Sequence, residues 1–408
     1  MTHHTLQGGG VTSPQGFAAA AVAAGIKQSG RPDLVLVISD RDCSAAGVFT
    51  RNQVAAAPVL LDRETLAANA DAIRGVVINA GNANACTGEP GLVNAREMQR
   101  LAAVAVGGSA GQFLVMSTGV IGVPLPMDRV GAGIAAAAPR LSPANSRAAA
   151  EAIMTTDTRP KFMALEIELP GGRVTLGGMA KGAGMIHPDM ATMLSVLTTD
   201  AAIPVATLDK LLREAADRSF NAISIDGDTS TNDTVLLLAN GASDVTIDDE
   251  AGLAAFGAAL GELCHALAMM VVRDGEGVSR VVTVRITGTA TAADARKVAD
   301  TIATSPLVKT AFAGGDPNWG RIMMATGRSG VELRQERLAL WVAAPDGEPL
   351  AIVRNGTPTD YRESDAAAVF ALPEFTVHVD LGDGTEEAVI WTTDLTHDYV
   401  SINADYRT

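Results

Sequence analysis

The stretch KGAGMIHPDMATMLSVLTTD, residues 181–200, runs from a glycine-rich loop through Pro188 to Ala191-Thr192 and on into an apolar segment. Small residues ahead of Thr192 let backbone or ligand approach its hydroxyl closely, which an acyl-transfer nucleophile requires. A threonine hydroxyl is a weak nucleophile until a neighbouring base takes its proton. No Ser-His-Asp arrangement and no G-x-S-x-G turn surrounds it, and His187, a lone loop histidine, is more ordinarily structural. Cleavage of the Ala191–Thr192 bond would supply a base without histidine. The new α-amine, with an ordinary pKa of about 7.7 to 8.0, can serve its own residue. Taken alone, Thr192 reads more ordinarily as a helix-start hydroxyl.

The 408-residue chain exceeds what one hydrophobic core usually organises, so two domains or one large layered unit is expected. Hydrophobic residues make up 47% and aromatics only 4%, which calls for an interior of closely packed aliphatic side chains. The 31 Lys and Arg face 46 Asp and Glu, a formal net charge of -15 that argues against a nucleic-acid partner. The amino-terminal MTHHTLQGGGVTSPQGF has no basic start followed by an apolar core, so it does not read as a secretory signal. No apolar run approaches the roughly 20 residues that span a bilayer, and no membrane partner is expected. Cys43, Cys86 and Cys264 are sparse and lack metal-like spacing. That usage suits a reducing compartment, and a soluble cytoplasmic protein is expected.

Apolar runs that end in glycine- or asparagine-rich turns recur at 34–40, 75–88, 113–122 and 223–233, where α/β proteins keep their chemistry. Helical patterns cover 206–218, 250–272 and, after the strand VVTVRIT, 292–304. Two hairpins are predicted, 162–169 with 173–176 and 375–381 with 388–392. Helices mixed with hairpins indicate an α+β, mixed-sheet sandwich. The best division of the chain is 181–192, read as a cut rather than a hinge.

Four further constellations carry chemistry. In MSTGVIG (116–122), Ser117-Thr118-Gly119 would present a hydroxyl and backbone amides at a strand end, the makings of an oxyanion hole, although an ordinary strand-to-turn junction looks the same. In IMTTDTRPK (153–161), Asp157, Arg159 and Lys161, together with Lys181, would bind a carboxylate or form a solvated polar loop. IDGDTSTND fails the calcium pattern: counted from Asp226, Thr231 stands at the glycine position and Leu237 at the bidentate glutamate position. A turn with Asp, Ser and Thr side chains bonded to backbone is expected there, and no metal. Gly275 and Gly277 of DGEG (274–277) would turn the chain and leave Glu276 in a loop, ordinarily exposed. GGG (8–10) and GGDPNWG (314–320) match no nucleotide pattern, so no cofactor is expected.

Taken together, GVFTRNQVAAAPV (47–59), NAGNANACTG (79–88), STGVIG (117–122), TTDTRPK (155–161), KGAGMIHPDMATML (181–194), FNAISIDGDTSTND (220–233), DGEG, SPLVKTA (305–311), GGDPNWGR (314–321) and the terminal NADYRT (403–408) resemble the ornithine acetyltransferase family of arginine biosynthesis. The resemblance implies a precursor that cleaves itself into an α chain, 1–191, and a β chain, 192–408, assembled as two of each. It implies a layered α/β sandwich akin to the N-terminal-nucleophile hydrolases but distinct in topology. The implied reaction is ping-pong transfer of acetyl from N2-acetyl-L-ornithine to L-glutamate through an ester on Thr192, with Thr118 and Gly119 as oxyanion pair. Thr155, Lys181, Thr192, Glu276, Asn403 and Thr408 match the family's substrate positions. Acetyl-CoA is a co-substrate in members with both activities. A hydrolase built on the same threonine, an amidohydrolase or aminopeptidase, is the competing reading, and a silent binding protein on the same fold is a third. Two departures stand out: Asp189 where the family often has Asn, and Val278-Ser279-Arg280 where Ala-Thr-Lys is usual.

Overall fold

The computed structural model describes residues 3–169, 171–187 and 193–405. Two mixed β-sheets form its frame. The first runs His3–Thr5, Lys161–Leu169, Gly172–Lys181, Leu194–Thr199, Thr234–Ala239, Leu34–Phe49, Ile73–Asn82, Phe113–Val120, with Phe17–Val22 along the first half of Leu34–Phe49. The second runs Thr357–Pro358, Leu350–Arg354, Ala339–Ala343, Glu374–Asp380, Val281–Thr289, Glu386–Thr393, Ile223–Ser224. This is the α+β sandwich expected from the sequence.

The central strands of the first sheet, such as Leu194–Thr199 and Thr234–Ala239, are buried on both sides because both faces are covered. Leu34 and Leu36 alternate with Val35 and Val37. The first pair packs with the helices Gly88–Val106 and Met127–Ala137, the second with Ser146–Ala152. The helices Val205–Asp217 and Glu250–Arg273 pack on the first sheet, and the latter also touches Glu386–Thr393 of the second. Ala292–Ala303 covers the second sheet against Val281–Thr289. Its start is fixed by Thr291, whose hydroxyl accepts the Asp294 amide at 3.0 Å.

Two expectations change. The segments 375–381 and 388–392 do form strands, but Val281–Thr289 lies between them, parallel to Glu374–Asp380 and antiparallel to Glu386–Thr393. The buried Val282, Val284 and Ile286 of that inserted strand supply more core than a hairpin would. Second, one helix, Glu250–Arg273, is long and apolar enough to cross a membrane by length and composition. Its Phe256, Leu260, Leu263, Leu267 and Val271 are buried among residues of the first sheet, so its apolarity is accounted for by the core. Across the stretch read as a cut, Gly172–Lys181 pairs antiparallel with Leu194–Thr199, Lys181 opposite Leu194.

Candidate active site

The parallel strands Ile73–Asn82 and Phe113–Val120 end side by side, with Gly81 paired to Gly119. Carboxyl ends of parallel strands are where open sheets bind ligands. Gly119 holds φ +131°, and a Cβ there would stand 2.3 Å from the Gly81 carbonyl carbon. Only glycine fits this close approach, and it aims the 118–119 backbone at a cavity of about 340 Å³. Asn232 stitches the rim: its Nδ2 donates to the carbonyls of Ala83 at 2.6 Å and Ser117 at 2.9 Å.

Thr118, Gly119, Thr155, Lys181, Glu276 and Asn403 all line that cavity. The structure thus brings together residues as distant in sequence as 118 and 403. Ala191, Thr192 and Thr408, the cleavage pair, the nucleophile and the last substrate residue named from sequence, lie outside the described residues, as does Asp189. Met193, the neighbour of Thr192, is described, and its amide is bound by the Asp233 carboxylate at 2.9 Å.

Lys181 is buried, and among the described residues its ammonium donates to one side chain, Thr118 Oγ1 at 3.3 Å. Burial pulls it below the ordinary lysine range, against the pull of Asp157. A buried ammonium with donors to spare, facing a cavity, suits an incoming carboxylate. Asp157 lies behind it. Burial acts to raise Asp157, but Lys181, Lys161 and the Thr155 amide outweigh it and hold the carboxyl at about 2. Across the cavity Glu276 accepts from Asn403 Nδ2 at 2.8 Å, and its carboxylate fills the space that a Cβ on Gly184 would take.

Lys161 does not join this site. Its ammonium is spent on Asp157 at 2.7 Å and Asp274 at 2.6 Å, all three buried, while Arg159 is exposed. Of the basic residues grouped in that reading, Lys181 lines the cavity while Arg159 and Lys161 do not, and Thr155 and Thr156 are the loop's contribution to its wall. Asp274 also accepts the Thr158 amide at 3.0 Å, so the triad welds the Thr155 loop to the Glu276 loop. Lys161→Met is expected to cost about 3–5 kcal/mol by stranding two buried carboxylates. A thermal melt checks this, and an unchanged midpoint contradicts it.

The 223–233 loop is the expected turn and more. Asp226 accepts the amides of Ile186 at 2.9 Å and Met185 at 2.5 Å and the Tyr399 hydroxyl at 3.2 Å, and both Asp226 and Tyr399 line the cavity. Burial raises Asp226 above the usual carboxylate range. Neither residue was singled out as a site residue from sequence; Asp226 sat in a loop read as a turn, and nothing local marks Tyr399. Val278-Ser279-Arg280 is absent from the cavity lining: Ser279 and Arg280 amides bind Asp394, and Arg280 Nε donates to the Phe370 carbonyl at 2.9 Å. Asn318 of GGDPNWG caps the helix Trp319–Gly327.

Residues 18–408 match the ArgJ family. The chain is 51% identical over 404 residues to the arginine biosynthesis bifunctional protein ArgJ of Symbiobacterium thermophilum, covering 98% of this chain and 99% of that one. It is 47% identical to the protein of the same name from Geobacter sulfurreducens, covering 97% and 99%. Among solved structures it is 45% identical to the ornithine acetyltransferase of Mycobacterium tuberculosis complexed with ornithine, with a TM-score of 0.43 over 46% of this chain and 98% of that one. With its sequence matched nearly from end to end, the chain belongs to the ArgJ family.

Proposed function

We propose that this chain is a glutamate N-acetyltransferase that moves the acetyl group of N2-acetyl-L-ornithine to L-glutamate in arginine biosynthesis, and that acetyl-CoA can serve as a second acetyl donor. The observation that carries the reading is the buried, under-used ammonium of Lys181 beside Thr118 and Gly119, facing Glu276 and Asn403 across one cavity. Lys181 takes the substrate carboxylate. Glu276 takes the ammonium of ornithine.

Thr192 Oγ attacks the acetyl carbonyl and gives its proton to its own α-amine. The Thr118–Gly119 pair holds the oxyanion, the C–N bond breaks, and ornithine leaves with that proton. The amine of glutamate then attacks the acetyl ester and restores the hydroxyl. The α-amine arises when the same hydroxyl attacks the Ala191 carbonyl in an N-to-O shift and water hydrolyses the ester, leaving chains 1–191 and 192–408. We expect two of each chain in the assembly and no bound cofactor. The free state of Cys43, Cys86 and Cys264 supports a cytoplasmic setting.

The test is an exchange assay with labelled N2-acetyl-L-ornithine and glutamate, against a control with water as the only acceptor. Label in N-acetylglutamate supports the transferase; label released only as acetate supports the hydrolase. Deleting Arg407-Thr408 is expected to lower turnover about fivefold or more, since each lost substrate hydrogen bond costs about 1 kcal/mol or more. Unchanged kinetics would remove Thr408 from the site.

A further inference from the structure

Asp233 is fully buried at the point where the strand Thr234–Ala239 begins, directly beside the start of Leu194–Thr199. Its Oδ1 accepts the Met193 amide at 2.9 Å. Its Oδ2 is buried and, among the described residues, completes no hydrogen bond, although the Ser230 amide and hydroxyl lie near the carboxyl. The surrounding backbone fixes the residue in place: the Asp233 carbonyl accepts from the Thr50 amide at 2.9 Å, and the Thr234 amide donates to the Met193 carbonyl at 3.1 Å. A buried carboxylate oxygen without a donor is costly, so such an oxygen marks a place where a donor belongs.

The backbone nitrogen of residue 192 is three covalent bonds from the Met193 nitrogen and lies within roughly 4 Å of it in any conformation. One carboxylate can therefore hold both nitrogens, one on each oxygen. We propose that Asp233 is a positioning residue that anchors the amino group created at Thr192 by chain cleavage, its Oδ1 on the Met193 amide and its Oδ2 on the new α-amine. The inference rests on the N-terminal-threonine reading above.

The anchor has two consequences. It fixes the base relative to the hydroxyl of the same residue, and it replaces an unpaired buried carboxyl with a charge-assisted pair. Burial holds the Asp233 carboxyl well above the ordinary range, although the Met193 amide, the charge of Lys181 and the amide and hydroxyl of Ser230 oppose it. An ammonium beside it supplies the missing counter-charge. In turn a carboxylate makes the amine keep its proton to higher pH, and the amine must lose that proton to act as base. The acid limb of the rate profile is therefore set by this pair.

The experiment compares kcat/KM against pH for wild type and Asp233→Asn, both confirmed as two chains by intact mass. Asparagine keeps an acceptor for the Met193 amide and removes the charge. The acid-side midpoint is expected to fall by about one pH unit or more, because an opposite charge at contact distance shifts a pKa by roughly 1–3 units. A processed variant whose midpoint stays within about 0.2 units of wild type overturns the inference, and leaves the transferase reading intact. Asp233→Ser, also uncharged, is read in the same way. If both variants fold but remain uncut, or fail to fold, the carboxylate serves the cut or the core instead of the amine, and the inference is overturned. An uncut wild-type chain would instead sink the reading on which it rests.

Discussion

Thr192→Ala is expected to remain a single chain of 408 residues and to lose acetyl transfer by a factor on the order of 10⁴ or more. Both losses have one cause. Alanine has no hydroxyl to attack the Ala191 carbonyl, and none to carry acetyl afterwards. Thr192→Ser keeps the hydroxyl and is expected to retain both activities at a reduced level. The pair of variants separates a missing nucleophile from a damaged fold: an alanine variant that melts like wild type yet is uncut and inactive is the expected result. Turnover by Thr192→Ala at anything near the wild-type rate would remove the covalent mechanism.

Gly119→Ala is expected to lower kcat by about 10²–10³ with a smaller change in KM. At φ +131° an L side chain is strained whatever the space, and the space is already taken, with the Gly81 carbonyl carbon 2.3 Å and the Asn82 nitrogen 2.5 Å from the new methyl. These are backbone atoms, which have no rotamer to retreat into. The strand end must shift, and the 118–119 donors shift with it. An oxyanion is bound by donors placed within a few tenths of an ångström, so displacement is felt in the transition state more than in the ground state. A variant with intact kcat would show that the 118–119 backbone does not hold the oxyanion.

Several residues of the candidate site were legible because they sit beside turns the chain cannot hide. Thr118-Gly119 closes an apolar strand, Lys181 opens the glycine-rich stretch, and Glu276 lies between Gly275 and Gly277. The family blocks then gave each a role. Legibility failed where a residue's role is set by a partner far along the chain. Lys161 looked like a ligand for substrate because its neighbours are polar, but Asp274, 113 positions away, claims its ammonium. Asp226 reads locally as a turn residue, and only the fold sets it against the Met185–Ile186 backbone and the Tyr399 hydroxyl. The two strands before and after Gly382-Asp383-Gly384 carry every local sign of a hairpin, yet Val281–Thr289 enters between them from nearly a hundred residues upstream. Local pattern fixes which face of a strand is buried; it does not say which strand lies beside it.

Acetyl transfer through Thr192 is tested by the denatured mass of the purified protein after exposure to N2-acetyl-L-ornithine without glutamate. Two chains parted between Ala191 and Thr192 are expected, with the C-terminal chain heavier by one acetyl group that added glutamate removes. A single uncut chain, or two chains of which neither retains acetyl while transfer proceeds, would contradict it.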